Sequence, residues 1–237
     1  MKKNNFVKTD KNCQYPTGEG KQPASRRLRV LVACEESQAV CKAFRALGHE
    51  AYSCDIQDCS GGHPEWHIKG DALQIINQDW DLIIAHPPCT FMSKAGARWM
   101  YPTAGNLSEE RFKLSQEAKA FFMEFYNCKC KHVAIENPVP LKVVGLPPHT
   151  QPIQPYEFGE PYSKQTLLWL KGLPKLKPTK IVAEHKPWMP SNTGGFARGM
   201  GGSRGVAHNP KTASKTFEGI AQAFAEQWSE YLLGLPK

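Results

Sequence analysis

No apolar run in the 237-residue chain comes near the roughly 18 residues that a membrane-spanning helix needs. The basic start, Met1-Lys2-Lys3-Asn4-Asn5, is not followed by the apolar segment of a secretory signal. A cytoplasmic protein without a membrane partner is therefore expected, with its eight cysteines reduced rather than paired in a disulfide framework. No internal repeat is visible. Acidic residues are scarce where basic ones collect: residues 164–215 hold ten Lys and Arg against a single acid, Glu184, and residues 1–29 hold eight against two. The stretch 30–163 has the opposite balance, eleven basic residues against sixteen acids. Segregated positive charge suits a phosphate backbone, although charge alone does not separate that from a solubilising surface. Residues 1–26 also lack apolar content and are expected to form a disordered basic tail.

What remains reads as one α/β domain. Leu28–Ala33, rich in branched residues, predicts a first strand, and Cys34-Glu35-Glu36-Ser37 a turn. Gln38–Leu47 has Val40, Phe44 and Leu47 at helical spacing, with Gly48 as its terminator. Glu50–Cys54 is a second strand ending at Asp55, and a short helix is expected over Leu73–Gln78. In Asp81-Leu-Ile-Ile-Ala-His-Pro-Pro-Cys-Thr90, four apolar residues sit between an acid and two prolines, the pattern of a buried parallel strand. Residues 91–107 suit a mobile loop whose aromatic faces can stack on bases. Ser108 is a natural N-cap for a helix that buries Phe112, Ala118, Phe121, Phe122 and Phe125. His132–Ile135 is a strand closed by Glu136-Asn137-Pro138, with Cys128 and Cys130 as structural residues at its entrance. Residues 147–161 are expected to trace an extended crossing, Lys164–Leu170 another strand, and Ser214–Leu233 a final helix with Phe217, Ile220, Ala221, Phe224 and Trp228 on one face. The six glycines of residues 186–212 let a backbone approach phosphates closely, or mark an exposed loop.

Chemistry collects at the ends of these strands. Pro87 and Pro88 stiffen the turn that carries Cys89 beyond the carboxyl end of its strand, where open α/β sheets place their ligands. Cys89 there is either a nucleophile or a buried turn residue. A strand–helix–strand–acid unit ending at Asp55 is the start of a nucleotide-binding fold, in which that acid meets ribose hydroxyls. The glycine-rich phosphate fingerprint is missing from its first turn, where Glu35 and Glu36 would repel a pyrophosphate. A cationic or zwitterionic nucleoside is a better match, with Asp71 towards its adenine side. Cys54, Cys59, His63 and His67 match no familiar zinc knuckle, and no metal is expected. A thiolate and a carboxylic acid over one nucleoside pocket, here Cys89 and Glu136, are what carbon 5 of a pyrimidine needs. The thiolate adds at carbon 6, the acid stabilises charge at ring nitrogen 3, and the resulting enamine attacks an electrophilic methyl group.

Pro87-Pro88-Cys89 followed after about fifty residues by Glu136-Asn137-Pro138 resembles the DNA cytosine-5 methyltransferases, and within them the short cytosine methyltransferase-like proteins of phages and prophages. The resemblance spans roughly residues 28–170 and the last helix. It implies a Rossmann-like methyltransferase fold, a mostly parallel sheet with helices on both faces, with S-adenosylmethionine as methyl donor. It also implies Cys89 as nucleophile, Glu136 as the acid at nitrogen 3 and Asn137 as the residue ordering the loop. The donor would lie against Cys34, Glu35, Asp55, Ile56, Asp71, Ala72 and Pro87, with Asp55 at its ribose and Asp71 at its adenine. DNA, either a duplex with a cytosine flipped out or a single strand, would meet Ser93, Arg98, Lys164, Arg198 and Arg204. The implied organisation is a catalytic core over residues 27–174, a short basic nucleic-acid segment over 175–213, and a C-terminal helix over 214–237 packing back on the core.

Three features depart from the family pattern. Its Phe-x-Gly-x-Gly loop is Ala33-Cys34-Glu35-Glu36-Ser37 here, without glycine. Its Gln-x-Arg-x-Arg signature survives only as Tyr162-Ser163-Lys164-Gln165-Thr166. The target-reading region is also very short. Two rivals stay open from sequence: another pyrimidine- or RNA-modifying methylase, and a DNA-binding relative without turnover. An amino-methylase normally has an aromatic after the two prolines, where this chain has Cys89. Oligomeric state is not legible.

Overall fold

The computed structural model describes residues 26–189, 206 and 214–234. Short runs of branched and small apolar residues build the centre of its sheet. Strands β1 (Arg29–Ala33), β2 (Glu50–Asp55), β3 (His67–Lys69), β4 (Leu82–Ala85) and β5 (Val133–Pro138) are mutually parallel. They are joined by β6 (Gln151–Ile153) and β8 (Thr166–Lys171), with β8 antiparallel to both β5 and β6. The strand order is β3-β2-β1-β4-β5-β8-β6. Two-residue strands β7 (Tyr162–Ser163) and β9 (Lys186–Pro187) form a small separate sheet.

All four residues of β4 are fully buried, as strands covered on both faces must be. The period-2 alternation divides the core into two layers. Val30, Val32, Leu82, Ile84 and Ala134 face helix α1 (Ala39–Ala46) and the last described helix, α4 (Glu218–Gly234). Leu31, Ala33, Ile83, Ala85 and Ile135 face the long helix α3 (Glu109–Asn127) through Phe122 and Phe125. This is the mostly parallel α/β sheet expected, with helices on both faces and one antiparallel strand, β8, beside the parallel run.

Helix α4 completes the first layer. Phe224 stacks on Trp228 at 4.5 Å between centroids, and Trp228 donates from Nε1 to the Pro174 carbonyl at 3.1 Å. Gly219, in the first turn, lies so close to the Phe158 carbonyl that a Cβ there would collide with backbone. Leu176 is buried in the same layer, and the Gln227 amide exchanges two 2.8 Å hydrogen bonds with the backbone of Lys177.

Several sequence expectations shift in detail. β5 continues through Glu136 and Asn137 to Pro138, because β8 pairs with it at Glu136↔Leu168, Asn137↔Leu167 and Pro138↔Thr166. The crossing at 147–161 contains β6, also recruited by β8. The helix expected over Leu73–Gln78 is a single 3-10 turn, Ala72–Gln74, capped by Asp71. Residues 91–107 include a 3-10 turn, Lys94–Gly96, and a short helix α2 (Ala97–Met100). Phe217 precedes α4, which starts at Glu218 rather than Ser214. The tail up to residue 25 and most of the glycine-rich segment, with Arg198, Arg204 and Lys211, lie outside the described residues. Among the described residues no helix is long and apolar enough to cross a membrane.

Candidate active site

Strand order reverses between β1 and β4, and ligands of open α/β sheets sit outside the carboxyl ends of the strands at such a point. The turns leaving β1, β2 and β4, together with the end of β5, carry Cys34, Glu35, Asp55, His86, Cys89, Glu136 and Asn137 there. The register Ala85↔Ile135 brings His86 beside Glu136, and the alternation puts both on the α1 side of the sheet.

The Pro-Pro-Cys turn is held from several directions. The His86 amide donates to the Ala33 carbonyl at 2.9 Å, tying the turn to β1. Asn137 is 1% exposed and its Nδ2 donates to the Pro87 carbonyl at 2.8 Å. The Cys89 carbonyl accepts from the amides of Met92 (3.0 Å) and Ser93 (2.9 Å). Backbone bonds from Lys94 to Val139 (2.9 Å) and from Leu141 to Met92 (2.8 Å) then join this loop to the one after β5. Arg111 of α3 donates to the Thr90 carbonyl at 2.6 Å and lies over the Phe91 ring at 4.4 Å.

Cys89 is half-buried. Burial first, and then the negative charge of Glu136, pushes its thiol above the ordinary cysteine range, while Lys164 and the Ser93 hydroxyl oppose this. Glu136 and His86 are 15% and 12% exposed and form an ion pair, Oε2 to Nδ1, at 2.9 Å. Burial disfavours the Glu136 carboxylate, but the His86 hydrogen bond and charge, aided by Lys164 and the Thr166 hydroxyl, leave it below the usual carboxyl range. Burial likewise opposes a charged His86, and its bond to Glu136 outweighs that and raises it. His86 Nε2 and Asn137 Oδ1 are buried with no hydrogen-bond partner among the described residues.

The turn after β1 differs from a glycine-rich loop in a specific way. Cys34 and Gln38 both take positive φ, 59° in each case. Glu35 folds back into the core, and its two oxygens accept from the α1 amides of Val40 (2.6 Å) and Cys41 (3.2 Å). An internal carboxylate thus occupies the helix N-terminus that would otherwise attract a ligand's phosphate. Burial, first among its causes, raises the Glu35 carboxyl above its usual range. Gln38 bonds across to Ser53 and His63, and Gly61 lies against it where a Cβ would come within 2.5 Å of the Gln38 Cβ.

Asp55, at the end of β2, and Asp71, after β3, are both near enough to raise the thiols of Cys34 and Cys54, behind burial as the larger cause. Burial, first, and these acids push the Cys54 thiol up to about 12. Asp55 Oδ1 caps the turn amide of Gln57 at 2.9 Å, and Asp71 Oδ1 that of Leu73 at 3.0 Å. Ile56, next to Asp55, is 74% exposed, whereas Ala72 and Pro87 are buried. His67 of the Cys-His cluster bonds Ser53 Oγ and the Gln57 carbonyl, both at 2.9 Å, and His63 stacks on Trp66.

Among the residues expected to meet nucleic acid, Ser93 is buried beside Cys89 and Lys164 reaches the electrostatic neighbourhood of Cys89 and Glu136. Arg98 is exposed on α2 with its guanidinium 4.5 Å from the Trp99 ring centroid. His86 is not legible as a site residue from sequence, because the two prolines that follow make it read as part of a turn. The available signal was its place two residues after Ile84, on the same alternation as Glu136 after Ala134.

No protein-family model matches the chain, and comparison with curated proteins finds no match. Among solved structures, the chain is similar to the Entamoeba histolytica methyltransferase EhMeth, at 13% identity and a TM-score of 0.40, over 66% of this chain and 58% of that one. It is also similar to the S. pombe Dnmt2 methyltransferase, at 15% identity and a TM-score of 0.37, over 63% of this chain and 51% of that one. The chain thus spans little more than half the length of either protein.

Proposed function

We propose that this chain is an S-adenosylmethionine-dependent methyltransferase acting on carbon 5 of cytosine in DNA through a covalent Cys89 adduct. The observation that carries this is the Asn137 side chain holding the Pro87 carbonyl, with Glu136 acting electrostatically on the Cys89 that follows. In this reading the parallel neighbours β4 and β5 supply the nucleophile and the acid from adjacent carboxyl ends.

The residues suit the donor. Asp55 and Asp71 line one edge as acceptors for hydroxyl and amino groups, and exposed Ile56 offers an apolar face to a flat ring. Glu35 closes the α1 N-terminus to a pyrophosphate but tolerates a sulfonium, so a dinucleotide is disfavoured. When bound, the donor supplies an electrophilic methyl group. The chain's own residues do the remaining work. Cys89 adds to carbon 6 of the pyrimidine, while Glu136 donates to nitrogen 3 and stabilises the charge that develops there. Asn137 keeps the thiol in line, a contribution of positioning rather than chemistry. Lys164 lowers the cost of the Cys89 thiolate. Exposed Trp99 and Arg98, with the basic stretch 164–215, suit a phosphate backbone and unstacked bases.

The test is nucleoside mass spectrometry on DNA from cells expressing wild-type protein or Cys89→Ser. 5-Methylcytosine is expected only with wild type, while the variant still binds DNA. Equal cytosine profiles for the two would overturn the assignment.

A further inference from the structure

We propose that His86 is a positioning residue for the chemistry, holding on Nδ1 the proton that Glu136 presents to nitrogen 3 of the bound pyrimidine. This rests on the cytosine reading above and adds to it the source of a proton.

An acid that donates to nitrogen 3 must carry a proton, yet Glu136 is held ionised by its 2.9 Å bond to His86 and by the nearby charge of Lys164. The proton Glu136 lacks is one hydrogen bond away. Burial disfavours a charged His86, and three groups then set its charge. Glu136 on β5 and Glu35 in the turn after β1 favour the imidazolium, and Lys164 before β8 opposes it. Cys89, three residues along the same turn, is the group whose ionisation the pair affects. From the turn after β4, the His86 side chain bonds directly to Glu136, and the backbone bond from its amide to Ala33 fixes where the ring starts.

The step is a single proton transfer. The Nδ1–H bond breaks with its electron pair staying on nitrogen, and an Oε2–H bond forms. Imidazolium and carboxylate become imidazole and carboxylic acid, with no change in net charge. A pyrimidine covering the pair removes water, and separated charges in a drier site lose more than a neutral hydrogen-bonded pair does. Rotation about the soft last torsion of Glu136 then turns the O–H toward the base. The same transfer removes the anion beside Cys89, the second cause of its raised thiol pKa. One proton movement therefore readies both groups, and only when substrate is present.

His86→Asn tests this, because its amide can donate near the Nδ1 position but holds no titrating proton. With unmethylated plasmid DNA and S-adenosylmethionine, single-turnover transfer by the variant is expected to fall by about 10²-fold or more, the scale of general acid–base assistance. DNA and donor binding are expected to stay within about twofold of wild type, an outcome that a merely structural role would not give. The wild-type rate should decline with pH above the ordinary histidine value of 6.5, as His86 loses its proton, and the variant should lack that limb. As a measurement needing no variant, ¹⁵N NMR of wild-type protein should show both His86 ring nitrogens protonated at neutral pH. A single neutral tautomer there, or equal rates and equal pH profiles for the two proteins, overturns the role of His86 alone. No transfer by wild type overturns the cytosine reading and this role together.

Discussion

Replacing Asn137 by alanine separates positioning from stability. The amide Nδ2 donates to the Pro87 carbonyl at 2.8 Å, and Asn137 is 1% exposed. Alanine strands that carbonyl in the interior, at a cost of about 1–3 kcal/mol. Asn137 Oδ1 has no partner among the described residues, so deleting the side chain also removes an unsatisfied acceptor. The net loss should therefore fall in the lower part of that range, about 1–2 kcal/mol. For a chain of this size that lowers Tm by about 3–6 °C. A native state worth roughly 5–15 kcal/mol remains almost fully folded after such a loss. Activity should respond differently. The bonds from Cys89 to Met92 and Ser93 survive, so the turn persists, but the Pro87 end loses its side-chain anchor. A nucleophile displaced by about 1 Å costs about 10²-fold in rate. Thermal unfolding followed by circular dichroism, paired with single-turnover transfer at a temperature well below both transitions, measures the two effects side by side. A lowered Tm with undiminished transfer would refute the claim that Asn137 sets the position of Cys89.

Asp55→Ala should weaken S-adenosylmethionine binding by about tenfold or more, equivalent to about 1.4 kcal/mol, while transfer at saturating donor stays near wild type. Calorimetry that returns an unchanged Kd would remove Asp55 from the donor site. The His86–Glu136 pair should also leave a mark on stability against pH. Glu136 is lowered in the folded state, so its contribution is full above the reference value of 4.5 and fades as pH falls below it. His86 is raised, so its contribution is full below 6.5 and fades as pH rises through the higher folded value. The stability gap between wild type and a His86→Asn, Glu136→Gln double variant should thus be widest between pH 4.5 and 6.5, measured by urea unfolding. A gap that does not vary with pH would show that the pair is not ionised in the folded protein.

The sequence carried the fold because local pattern and burial agree. The run Leu82–Ala85 between an acid and two prolines has few structures open to it other than a buried strand with a stiff exit. The same holds for Leu28–Ala33, for the helix ended by Gly48, and for Ser108 as the cap of α3, whose hydroxyl accepts from the Arg111 amide at 3.3 Å. Elements that depend on a partner far along the chain were less legible. Gln151–Ile153 is a strand, and Glu136–Pro138 extends one, because Thr166–Lys171 pairs with each of them. No residue within those short segments announces such a partner.

The candidate site divides along the same line. The residue types at the strand ends were determined by sequence: Cys89 behind two prolines, Glu136 and Asn137 at the next strand end, and Asp55 after the second strand. Their relations were decided only in three dimensions. Glu35, legible as an acid in a loop lacking glycine, is a buried cap on α1, and His86, legible as a turn residue, is the ionic partner of Glu136. Sequence specifies which groups can ionise, but protonation depends on distance, burial and neighbouring charge. Those quantities arise only when β1, β4 and β5 bring their carboxyl ends together.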